Sequence, residues 1–128
     1  MTTRGIRGAI TIESDTEDHV LEGARALMDA VLASNPDLRS EDVASILFTV
    51  TEDIVSAYPA RAVRQMGWEQ VPLMCAREIP VAESLPLCIR LLIHWNTEKP
   101  QHQIKHVYLR DAVQLRPDLI DHKKEAAK

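Results

Sequence analysis

Arg90 stands alone as a cation inside the apolar run Leu87–Trp95, LCIRLLIHW. Taking a guanidinium out of water costs several kcal/mol, so an arginine in such a place is either paired with a carboxylate or faces a bound anion. Spacing alone leaves both readings open. A second arginine, Arg7, alternates with Gly5 and Ala9 in a strand-like stretch, so it projects from a face whose neighbours leave space beside it. Glu78 follows the run Pro72–Arg77. Taken alone it reads as a solvated loop acid. Cys75 reads as a small buried hydrophobe, because no His or Asn arrangement beside it suggests a nucleophile. Tyr108, between Val107 and Leu109, reads as a core tyrosine with a bonded hydroxyl. His102 and His106 are four apart, but they fall on a loop leading into a strand and lack an obvious third ligand, so no metal site is expected. No phosphate-cradling glycine loop, dinucleotide fingerprint or Gly-x-Ser-x-Gly elbow occurs, and no cofactor is expected.

These residues need elements to position them. Ile6, Ile10 and Ile12 share one parity and predict a first strand over 6–12. Val20, Leu21, Ala24, Leu27, Met28, Val31 and Leu32 recur at helical spacing and predict an amphipathic helix over about 17–34. Asp15-Thr16 precedes it as a cap, and Asn35-Pro36 stops it. Ser40-Glu41-Asp42 suggests one short turn. Ala44–Thr51 and Leu87–Trp95 are apolar at both parities, which predicts strands covered on both faces. Pro59 opens a short helix that Gly67 ends. Val71–Cys75 and Ile104–Leu109 complete the strands. The class is α+β (mixed α/β), a mixed β-sheet with one long amphipathic helix and a short one. One helix covers one face of a sheet. The other face calls for a neighbouring copy of the chain, so a homo-oligomer is expected.

The bulk numbers narrow the function classes. The 128 residues suit a single domain spanning 1–128, with a polar, Lys-rich tail from about 120 that should fray. A net charge of −4, the absence of a long basic stripe and an aromatic content of 4% argue against nucleic acid as a partner. No apolar run is long enough for a membrane span. Two cysteines form neither a disulfide framework nor a metal pattern, and the N-terminal stretch lacks an apolar signal region, so a cytoplasmic protein is expected.

Several segments, taken in order, resemble one family. They are Arg4–Ala9 (RGIRGA), Tyr58–Arg64 (YPARAVR), Val71–Glu78 (VPLMCARE), Cys88-Ile89-Arg90, Pro100-Gln101 leading to His106–Leu109 (HVYL), and Ala112–Asp118 (AVQLRPD). The set, spanning Arg4 to about Leu119, is similar to the monofunctional, AroH-class chorismate mutases. The resemblance implies a homotrimer forming a pseudo α/β-barrel, with active sites in clefts between subunits. It also implies the Claisen rearrangement of chorismate to prephenate, on the route to phenylalanine and tyrosine, without cofactor, metal or covalent intermediate.

The resemblance assigns roles to residues. Arg90 is the cation at the breaking ether oxygen. Arg7 and Tyr108 hold the side-chain carboxylate. Glu78 and Cys75 engage the ring hydroxyl, and the backbone of Met74, Cys75, Ala76, Arg77 and Glu78 lines the pocket. Arg64, with Arg61 and Arg116, forms an outer cationic rim. Tyr58 and Leu115 are apolar walls. Tyr58 stands where phenylalanine is common in the family, Arg61 where lysine is common, and Met74 replaces a small polar residue of some members. A reading from another class is a non-catalytic trimer that binds a small carboxylate, or an imine deaminase, on a similar scaffold. Fold alone does not separate these.

Overall fold

The computed structural model describes residues 2–116. The element order is β1 (Thr3–Thr11), α1 (Glu17–Ser34), β2 (Val43–Val50), α2 (Ala60–Gln65), β3 (Leu73–Arg77), β4 (Cys88–Asn96) and β5 (Val107–Leu109), with 3₁₀ turns at Ser40–Asp42, Gln101–Gln103 and Arg110–Leu115. The five strands form one mixed sheet in the order β3-β2-β4-β1-β5. β4 is antiparallel to β1 and β2, whereas β3 and β5 run parallel to their neighbours at the two edges.

α1 occupies the range its periodicity predicts. Thr16 accepts from the His19 N–H as N-cap, and Glu17 and Asp18 place negative charge at the positive end of the helix. Asp15 does other work: its carboxylate accepts from the Val55 and Ser56 N–H groups and so holds the loop after β2. The buried stripe of α1 lies on Ile6, Ile10, Ile46, Phe48, Ile89, Leu91 and Ile93. A Cβ added at Gly23 would stand 2.6 Å from Ile12 Cγ2, so the absence of a side chain lets helix and sheet approach. α2 begins after Pro59, and Gly67 at φ +93° ends its last turn.

Strand ends differ from the sequence expectation for identifiable reasons. β1 starts earlier, at Thr3, because it pairs with β4 as far as Asn96, where Thr3 Oγ1 bonds Asn96 Oδ1. β3 is displaced to Leu73–Arg77, and its partnership with β2 continues one residue further through Glu78 N–H to the Val50 carbonyl. β5 is shorter than Ile104–Leu109. The Lys105 N–H and carbonyl are both taken by the Asn35 side chain at the end of α1, which leaves them no strand partner.

The two sheet faces are unlike. Helices α1 and α2 cover one. The other carries Arg7, Ala9, Leu47, Thr49, Arg90, Leu92 and Tyr108, and apart from Ala9 these are not fully buried in the single chain. In one chain by itself the second face of β2 and β4 is only partly covered: Leu47 and Leu92 remain half-buried. The fraying expected from about residue 120 lies outside the described residues. Among those residues no helix is long and apolar enough to cross a membrane.

Candidate active site

Strand register assembles the open-face cluster. Arg90 lies across β4 from Thr49 on β2 and Ala9 on β1, and Ala9 in turn opposes Tyr108 on β5. The methyl of Ala9 leaves room between guanidinium and phenol. Arg7 is two residues from Ala9 and shares its face. Glu78, just past β3, has the same parity as Met74 and Ala76 and reaches the same side. Its Oε1 accepts from Arg90 Nη1 at 3.0 Å.

The pair settles the question left open by spacing: Arg90 does have a carboxylate partner, twelve residues earlier. The pair is not enclosed, however. The side chains retain 42% and 26% of their exposure, so the expected desolvated cation is half-exposed in the single chain. The remaining guanidinium nitrogens, Nε and Nη2, bond no described residue. They are donors available for a ligand. A cleft of about 250 Å³ is lined by Arg7, Thr49, Glu78, Arg90, Leu92 and Tyr108, among others. A hollow of about 290 Å³ shares Glu78 and Arg90 and adds Cys88 and Leu115. On the other side of Arg7, a hollow of about 580 Å³ is bordered by His106, Tyr108 and Arg116.

A second group gathers at the β3 edge. Tyr58, Arg61, Cys75, Ala76 and Arg77 line a cleft of about 490 Å³ with the loop after β2. Cys75 opposes Phe48, so it points to the helix-covered side and away from Arg90. Partial burial pushes its thiol pKa up, against the smaller lowering effects of the Ala60 backbone and the Arg64 charge. Met74 and Tyr58 are largely exposed. Arg61 forms an ion pair with Glu17 at 3.3 Å, and Arg77 Nη1 donates to the carbonyls of Thr51 and Ile54, so both side chains already hold neighbouring segments.

The chain matches the family model for chorismate mutase type I over residues 3–119.

The chain belongs to that family.

It is 53% identical over 116 residues to the chorismate mutase AroH of Thermus thermophilus, covering 91% of this chain and 95% of that protein. It is 43% identical over 120 residues to the chorismate mutase AroH of Bacillus subtilis, covering 93% and 94% of the two chains. A solved chorismate mutase from Clostridium thermocellum superposes with a TM-score of 0.83 at 44% identity, over 86% of this chain and 97% of that one. The likeness bears out the mixed sheet with one long helix.

Within this member of the family, most residues singled out from the sequence fall into two groups, while Met74 and Ala76 share Glu78's side at the β3 edge. Arg7, Glu78, Arg90, Tyr108 and Leu115 border the open face. Tyr58, Arg64, Cys75 and Arg77 lie toward the β3 edge and α2. Arg116 reaches the outer hollow beside Arg7. Sequence reasoning missed Leu47, Thr49 and Leu92 as lining of the first cleft. Alternation with Arg90 marks Leu92 in the sequence itself. Leu47 and Thr49 have no such signal, because only the β2–β4 register brings them there.

Proposed function

We propose that the open-face cluster of Arg90, Glu78, Arg7 and Tyr108 carries out the rearrangement of chorismate to prephenate, with the β3-edge group of a second copy completing each site. The observation that carries this reading is the Arg90–Glu78 couple at 3.0 Å, which leaves guanidinium donors facing a cleft shared with Arg7 and Tyr108.

The reaction asks little covalent chemistry of a protein. One ether C–O bond breaks and one C–C bond forms within a single molecule, with no proton or electron taken up or released. As C–O cleavage runs ahead of C–C formation, negative charge grows on the enolpyruvyl oxygen and positive charge on the ring. A fixed cation at that oxygen binds the transition state more tightly than the substrate, and this difference lowers the barrier. Arg90 fills that role. Glu78 holds the guanidinium in place and sets negative charge near the developing ring cation. Arg7 and Tyr108 grip the side-chain carboxylate, and the planar fork of Arg7 matches two carboxylate oxygens. Holding the flexible diaxial conformer supplies the rest through orientation.

The separation of site residues into an open-face cluster and a β3-edge group supports an assembled site. Val55, Tyr58, Met74, Ile79 and Val81 are exposed apolar or aromatic residues around the β3 edge and its following loop. Burying such a patch against a neighbour is favourable. If each copy offers its β3 edge to one neighbour and its open face to another, the interface is heterologous, and a rotation closes it into a ring. A homotrimer with three shared sites fits that geometry and the family resemblance.

The direct test is loss of chorismate absorbance with purified protein. Turnover well above the uncatalysed rate is expected; none would remove the enzyme reading and leave the carboxylate-binding alternative. Sedimentation should give three times the chain mass, and a stable, active monomer would contradict the shared site.

A further inference from the structure

Among the described residues, β5 pairs with β1 only from Val107 onward, yet the Arg7 N–H, one residue before that ladder begins, is not left open. It donates to Nδ1 of His106 at 3.0 Å. The imidazole stands where a strand carbonyl would otherwise sit. This bond fixes the tautomer: Nδ1 must be the bare nitrogen, and the proton must lie on Nε2. It also reaches the backbone of a residue whose side chain borders both the catalytic cleft and the outer hollow.

We infer that His106 is a positioning residue for Arg7, holding the β1 backbone at the carboxylate grip while neutral and releasing it on protonation. The inference rests on the reading of Arg7 as a carboxylate ligand. A protonated ring has no acceptor, so the bond cannot survive. The gained charge would also be poorly placed. The charged and titratable groups bordering the hollow around the ring are Arg7 on β1, Lys105 and Tyr108 on either side of His106, and Arg116 after the last 3₁₀ turn, with Ser34 contributed by α1. Among the described residues that line it there is no carboxylate. Partial desolvation of this solvent-accessible ring, and then the Arg7 charge, accordingly hold the His106 pKa below its ordinary value. Grip on a ground-state carboxylate is retained in the transition state, so loosening it should raise KM more than it lowers kcat.

Two variants test the inference. His106→Asn places an amide oxygen near the Nδ1 position and cannot titrate. His106→Leu removes the acceptor. Relative to the unmodified enzyme at pH 8, the Asn variant should keep KM within about twofold. The Leu variant should raise it about three- to tenfold, the scale of one lost hydrogen bond, with kcat little changed. In kcat/KM profiles from pH 5 to 8, the unmodified enzyme should fall on the acid side of neutrality, and the Asn variant should lose that fall. Proton NMR of the ring in the unmodified protein should report its own midpoint there. An Asn variant that keeps the acid fall, or a Leu variant with unaltered KM, would overturn the inference. Absence of chorismate turnover in the unmodified protein would instead overturn the reading beneath it.

Discussion

Replacing Arg90 by lysine separates charge from geometry. Arg90 spends one nitrogen, Nη1, on Glu78 and keeps Nε and Nη2 for a ligand. A lysine carries one compact ammonium on a flexible stem. Glu78 would draw that ammonium toward itself, leaving no fixed donor at the ether oxygen. Losing one preorganised donor at a developing oxyanion costs about 3–4 kcal/mol of activation free energy, or roughly 10²–10³ in kcat. The structural loss should be far smaller. The pair retains 42% and 26% side-chain exposure, and exposed pairs contribute about 1 kcal/mol or less. The expectation is thus a fall in kcat of at least about a hundredfold, with urea unfolding displaced by no more than about 1 kcal/mol. Stopped-flow or steady-state loss of chorismate gives the first number, and equilibrium unfolding gives the second. A kcat within about fivefold of the unmodified enzyme would refute the placement of Arg90 at the ether oxygen. A large loss of stability would show that the pair acts mainly as a strut.

Other outcomes follow from the same structure. If sites are shared, Arg90→Lys and Arg64→Ala chains, each impaired alone, should regain about one quarter of full activity after equimolar unfolding and reassembly, because about one interface in four pairs two intact halves; recovery no better than the average of the parents would exclude sharing. Gly23→Ala brings a Cβ to 2.6 Å from Ile12 Cγ2. The clash, about 1–3 kcal/mol, should outweigh the helix-propensity gain of about 1 kcal/mol, and a raised unfolding midpoint would contradict this. Burial pushes the Cys88 thiol up to about 11. The unfolded thiol releases its proton near pH 8.5, so between these values the native state holds more protons and stability falls as pH rises. This contribution, on the order of 3 kcal/mol, is fully present below about pH 8.5 and lost by about pH 11. Urea titrations at pH 8 and 10.5 should show a steeper alkaline loss in the unmodified protein than in Cys88→Ala, and equal losses would show that burial does not perturb this thiol.

Much of the scaffold was legible from local pattern. The ends of α1 could be read because its cap, its acidic first turn and its apolar stripe are all properties of residues three or four apart. The apolar run around Arg90 marked it as an interruption of its strand, and strand parity placed Arg7 among small neighbours. The ordered motifs carried the family, since their spacing survives without knowledge of contacts.

Only the tertiary structure decided what those residues meet. Glu78 reaches Arg90 because β3 adds to β2 in parallel and its ladder runs one residue past Arg77. Cys75 and Arg90 share a motif set but lie on opposite faces, and that follows from the register of β2 with β3 and β4 rather than from either strand alone. The shortening of β5 comes from Asn35, seventy residues earlier, which takes both backbone groups of Lys105. The Arg7–His106 bond joins positions ninety-nine residues apart. Helix and strand periods are written in neighbouring residues, whereas register and facing are set by where distant segments lower their free energy together. The arginines could therefore be found in the sequence, but their partners could be found only in the fold.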